Sequence, residues 1–151
     1  MDRPFTFKLE RVRALRERKE DLAKEELAAS LALRLRGEAM LQAAVENLEQ
    51  ARGVQRAATG APMTAQDFQA AQAYLERTER ERESASLHLD RQDAEVDSRR
   101  TALQNAARER EVLERLKQRR REEHRREAAR REGVALDEMA INIHRRGSAA
   151  A

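Results

Sequence analysis

Cysteine is absent from the 151 residues, and tryptophan with it. Without thiols the chain carries no disulfide framework, Cys-based zinc site or thiol chemistry. Aromatics amount to three Phe and one Tyr, 3% of the chain. The large side chains that normally fill a single compact core are therefore missing. Proline occurs twice and glycine five times, unlike the Pro- and Gly-rich composition of disordered chains. Long apolar runs are missing as well: the best, Leu27 to Leu33, is short and contains Ser30, against the ~18 residues of a membrane span. The opening Met1-Asp2-Arg3-Pro4-Phe5-Thr6-Phe7-Lys8 has no apolar stretch of the signal-peptide kind. A soluble, cytoplasmic protein is expected.

What is present is Ala, Leu, Glu, Arg and Gln, the strong helix formers. Charged residues make up 39%, yet 31 Lys+Arg nearly balance 28 Asp+Glu, leaving a net charge of +3. The mean hydropathy is −0.92. Such a composition points to long helices in a coiled coil. Strong breakers fall at Pro4, at Thr59-Gly60-Ala61-Pro62, and at Gly133 and Gly147, while Ala65 to Glu132 contains neither Gly or Pro. Gly37 and Gly53 are isolated interruptions that a long helix tolerates. The expected organisation is one coiled-coil hairpin: helix 5–58, turn 59–64, helix 65–132 and a short tail 133–151. Gly60 permits positive φ and Pro62 ends the first helix, while Thr64, with Asp67 three residues on, caps the second. Two long helices with so short a connection should fold back antiparallel.

Periodicity agrees. Phe68, Leu75, Leu89, Val96 and Leu103 share one seven-residue series, broken by Arg82. Ala71, Ala85, Ala106 and Leu113 share its companion, broken by Thr78, Gln92 and Arg99. In the first half, Leu41, Val45, Leu48 and Ala51 form one stripe and Leu9, Val12, Leu15 and Leu22 another. These are thin seams interrupted by polar residues. The first helix should span about 80 Å and the second about 100 Å, so the second should overhang as a solvated single helix near 115–132.

Catalytic signatures are missing: no phosphate loop, no Gly-x-Ser-x-Gly, no His-Glu-x-x-His and no EF-hand spacing. His88, His124 and His144 lie far apart, and His124 reads as a solvated residue between Glu123 and Arg125. Carboxylates abound, but a two-helix hairpin has no pocket to perturb their pKa values. A non-enzymatic protein without metal or cofactor is expected. Charge is uneven: residues 108–151 hold 13 basic against 9 acidic side chains, densest from Arg115 to Arg126. Three readings remain: a solvated helix with pairs such as Glu122–Arg126 and Glu127–Arg131, docking onto an acidic protein surface, or contact with nucleic acid or a membrane surface. Interleaved Glu and the lack of aromatics for stacking argue against nucleic acid. After Gly133, Leu136, Met139, Ala140 and Ile143 fit one helical face. That face could fold back on the hairpin or dock on a partner. Docking is favoured, because a two-helix seam offers little surface to fold onto.

Four ordered pieces together resemble the FliJ proteins of bacterial flagellar type III export. They are the opening Phe5-Thr6-Phe7-Lys8-Leu9-Glu10-Arg11-Val12-Arg13-Ala14-Leu15-Arg16-Glu17-Arg18-Lys19-Glu20, the post-turn Phe68-Gln69-Ala70-Ala71-Gln72-Ala73-Tyr74-Leu75-Glu76, Leu113-Glu114-Arg115-Leu116-Lys117, and the late Leu136-Asp137-Glu138-Met139-Ala140. The resemblance implies an antiparallel stalk that enters the hexameric export ATPase ring and promotes its assembly and activity. It also implies contact with the cytoplasmic domain of the export gate and with substrate chaperones. The protein would then meet the inner membrane at the flagellar base only through that apparatus. Arg115, Lys117, Arg119, Arg120, Arg121, Arg125 and Arg126 would dock on the ring, and Leu41, Val45, Leu48, Phe68 and Leu75 would face the gate. The related stalk of a virulence injectisome is an alternative, and a basic coiled-coil nucleic-acid binder is another of a different class.

Overall fold

The computed structural model describes residues 4–149, nearly all of them in two helices, α1 (Glu10–Ala58) and α2 (Ala65–Ala149). No strand occurs among the described residues. The fold is the expected all-α, antiparallel two-helix hairpin with the longer helix second. It divides into two compact units, one of Glu20–Asn105, the other of Met1–Lys19 with Ala106–Ala151.

The turn in the first unit works largely as its residues dictate. Thr64 caps α2: its Oγ1 accepts from the Asp67 backbone N–H at 3.1 Å and donates to Asp67 Oδ2 at 2.6 Å, which sets the Asp67 carboxylate near the positive helix end. Gly60, however, does not use positive φ, since no glycine among the described residues does. The end of α1 tightens instead through three-residue bonds, with Gly60 N–H donating to Ala57 O at 3.4 Å and Ala61 N–H to Ala58 O at 3.3 Å. Pro62 then prevents continuation.

In the unit Glu20–Asn105, the buried and half-buried positions of α1 alternate by three and four. They run Glu20, Ala23, Leu27, Ser30, Arg34, Gly37, Leu41, Ala44, Leu48, Ala51, the signature of a heptad seam. Facing them on α2 are Ala71, Leu75, Thr78, Ala85, Leu89, Gln92, Val96 and Arg99, the two series read from the sequence. The apolar heart is small: Leu48, Ala51 and Leu75 form one buried cluster. Two of the polar seam residues satisfy themselves locally. Ser30 Oγ donates to Leu27 O and Thr78 Oγ1 to Leu75 O, both at 2.9 Å. Gly37 has a packing reason. A Cβ there would lie 1.9 Å from Gln92 Oε1, so the missing side chain makes room for the Gln92 amide. Arg34–Asp93 and Arg99–Glu26 tie the helices along the seam edge.

Two apolar expectations fail in this unit. Leu22 is half exposed and Phe68 is 52% exposed. In the other unit Leu9, Val12 and Leu15 are exposed too. The phase that turns Leu27, Leu41 and Leu48 toward α2 also turns positions 13, 16, 20 and 23 inward, which leaves the Leu9–Leu22 stripe facing water.

In the unit of Met1–Lys19 and Ala106–Ala151, charge takes the place of apolar packing. Arg16 Nη1 lies 2.6 Å from Glu109 Oε2, and Lys19 Nζ lies 3.2 Å from the same atom. Arg13 lies 3.5 Å from Glu114. Lys117 Nζ is 2.9 Å from Glu10 Oε2. The first helix starts at Glu10, not near residue 5, because Phe5 is engaged elsewhere. Its ring meets the edge of His124 at a centroid distance of 5.8 Å. The irregular segment Pro4–Leu9 thus lies against α2 and covers part of the expected 115–132 overhang, and His124 is half-buried under it rather than solvated. The helix also continues past 132: α2 runs through Gly133 and Gly147 to Ala149. A single glycine costs a helix about 1 kcal/mol, and the flanking helix formers carry the chain past it.

The Arg13 guanidinium, then the Lys117 ammonium, hold the Glu10 carboxyl down at about 2, against an ordinary value of 4.5. A carboxylate depressed in the folded state contributes stability above its unfolded pKa and loses it as pH falls toward its folded value. NMR titration of Glu10 should give a midpoint near 2, with the start of α1 loosening between pH 4.5 and 2. A midpoint near 4.5 would mean that these ion pairs do not form in solution.

Candidate partner-docking surfaces

The seven basic residues read as a ring-docking set do not share a face. At 100° per residue, Arg115, Arg119 and Arg126 fall in one row of α2, and Arg130 extends it. Arg121 and Arg125 form a second row. Lys117 is spent on Glu10. Arg120 lines the groove beside Pro4–Leu9 and pairs with Glu123 at 3.1 Å. The expected Glu127–Arg131 pair forms at 3.3 Å. Arg115 is held at 2.5 Å by Glu111 yet stays exposed, so the first row is a partly neutralised cationic strip. Arg125 and Arg126 also line a shallow cavity of about 490 Å³.

Of the five residues read as gate-facing, Leu48 and Leu75 are buried against each other and Leu41 is half-buried. Only Val45 and Phe68 present substantial surface, at 36% and 52% exposure. Phe68 lines a 530 Å³ groove beside the turn with Met63, Gln55 and Gln72. A larger groove, about 1270 Å³, lies between Met40, Ala44 and Asn47 on α1 and a mixed wall on α2 that includes Ala73, Leu87 and Arg91. Sequence reasoning missed Met40, Leu33 and Leu87, which are each more than half exposed. Their signal was an apolar residue lying off both heptad series, visible once the seam's phase is fixed. Arg77 also sits over the Tyr74 ring, 5.4 Å from its centroid, which holds that aromatic at the surface.

No group of three or more His, Cys, Asp or Glu able to hold a metal occurs among the described residues. Within them, no helix is long and apolar enough to cross a membrane. The surfaces are grooves and charged rows along two helices. A family model described as the flagellar FliJ protein matches residues 5–149. The chain therefore belongs to the FliJ family, and with it to the proteins of flagellar type III export. No curated protein and no solved structure shows significant similarity to it.

Proposed function

We propose that this protein is a non-enzymatic stalk of the flagellar export apparatus. It enters the ring of the hexameric export ATPase, promotes its assembly and activity, and links it to the export gate and substrate chaperones. The observation that carries this reading is the family match along residues 5–149 of a two-helix hairpin. The unit containing Glu10 and Lys117 serves the ring, through the exposed row Arg115, Arg119 and Arg126. Around the turn, Val45 and Phe68 with the Met40 groove serve the gate. Leu41, Leu48 and Leu75 act there by holding the hairpin in shape. Association with the inner membrane is indirect, through the apparatus.

The test is ATP hydrolysis by the cognate export ATPase with and without this protein. Full-length protein should stimulate turnover. A chain ending at Gln118, and separately the charge-reversed Arg115→Glu/Arg119→Glu/Arg126→Glu variant, should each lose most of that stimulation. The triple variant keeps α2 at full length, so its loss would reflect charge rather than missing helix. No stimulation by helical full-length protein would overturn the stalk reading.

A further inference from the structure

Within the unit Glu20–Asn105, α1 carries a second stripe beside the seam. Leu22, Glu26, Ala29, Leu33, Arg36 and Met40 recur every three or four residues, and each comes directly before a residue of the seam. One residue is a rotation of about 100° on a helix, so this stripe faces sideways, where α2 leaves it open. Leu22 and Leu33 are each 51% exposed and Met40 59%, and Ala29 is exposed too. Heptad spacing on a second face is what a helix needs to pack against two neighbours at once. The two charged members differ in their pairing. Arg36 is exposed and has no ionic partner among the described residues. Glu26 lies 2.6 Å from Arg99, which Glu95 also holds at 2.7 Å. Two carboxylates share one guanidinium there, so that cluster is one positive charge short.

We propose that a second copy of this chain occupies the stripe, the two α1 helices packing antiparallel about a two-fold axis beside residue 31. The stripe is self-complementary about that point. Leu22 meets Met40 of the second copy, and the small Ala29 meets Leu33. Glu26 meets Arg36, which supplies the missing positive charge, and the symmetry repeats each of these pairs. A parallel, in-register pair would set Glu26 on Glu26 and Arg36 on Arg36, which like-charge repulsion disfavours. The contact runs along residues 22–40, about 27 Å of helix. Its large apolar side chains are Leu22, Leu33 and Met40 of each copy. That is a small interface, so the dimer should form and dissociate with concentration. Met40 also lines the groove given above to the export gate. On that reading the dimer covers the groove, and the gate must displace the second copy.

Sedimentation velocity of the full-length chain over a concentration series should show monomer passing to dimer. Leu33→Asp/Met40→Asp should stay monomeric, and since both side chains are exposed its helicity should be unchanged. Glu26→Lys and Arg36→Glu should each stay monomeric alone, because each sets like charges opposite one another. An equimolar mixture of the two should recover the dimer, since opposite charges then meet at both ends of the contact. Orientation is read with one spin label. The chain has no cysteine and Gln42 is exposed, so Gln42→Cys puts a single label on each copy. The two labels should stand roughly 35–40 Å apart in the antiparallel pair and under about 25 Å in a parallel one. A wild-type chain that remains monomeric, leaving the stripe to another protein, would overturn the proposal. So would a mixture that fails to dimerise, or the shorter distance. The chain is measured alone, so the outcome does not depend on the export reading.

Discussion

Leu48→Asp should destroy the cooperative unfolding of the unit Glu20–Asn105, with the melting temperature lowered by ~10 °C or more in far-UV circular dichroism. Leu48 is 6% exposed and shares its cluster only with Ala51 and Leu75. Elsewhere the seam has Leu27, Leu41, Leu89 and Val96 as its large apolar residues, set among small, polar and charged ones that contribute little transfer free energy. Removing a buried leucine costs about 2–5 kcal/mol. Placing a carboxylate there without a partner adds the cost of desolvating a charge or of protonating it. In a unit of this size each kcal/mol shifts the melting temperature by roughly 4–8 °C. The internal control is Val45→Asp, three residues away on the same helix but 36% exposed. It should cost less than about 1 kcal/mol, as surface substitutions do. Equal losses at the two positions would mean that the seam runs in a different phase.

Glu109→Lys should open the other unit while leaving Glu20–Asn105 intact. Glu109 accepts from both Arg16 and Lys19, at 2.6 and 3.2 Å, and Lys19 followed by Arg16 holds its pKa below the usual carboxylate range. Reversal loses two attractions and sets three cations together. Exposed pairs are each worth about 0.2–1 kcal/mol, and repulsion adds a similar amount. Amide exchange across residues 10–19 should therefore quicken by about tenfold. The readout is local, by hydrogen exchange with mass spectrometry. Adding Arg16→Glu and Lys19→Glu should restore protection, and raising the salt concentration should narrow the gap between wild type and single variant. Failure of the triple variant to recover would show that packing, not charge, holds the start of α1. Because Arg13, Arg16, Lys19 and Lys117 stand where an apolar seam would be, this unit should respond to salt and pH far more than the Leu48 cluster does.

The sequence alone determined much of what rests on local preference. Helix formers from Ala65 to Glu132, with no Gly or Pro among them, make α2 unavoidable, and Thr64 with Asp67 marks where it begins. The seven-residue series through Leu75, Leu89 and Val96 gave the seam of α2, since a repeat of seven reads out directly as one face. The family match was legible for the same reason, in short pieces held in order. Tertiary structure decided the rest. The stripe of Leu9, Val12, Leu15 and Leu22 has the same periodicity as a seam, and only contact with α2 chooses which of two equivalent faces is buried. Phe68 lies on the right series but next to the turn, and it is exposed. Phe5 leaves the helix to meet His124, more than a hundred residues away, a contact no local pattern encodes. Gly37 reads as a flaw in a helix until Gln92 is seen to occupy the space of its missing side chain. Periodicity gives the faces a helix has, and the neighbour it meets determines which of them becomes the inside.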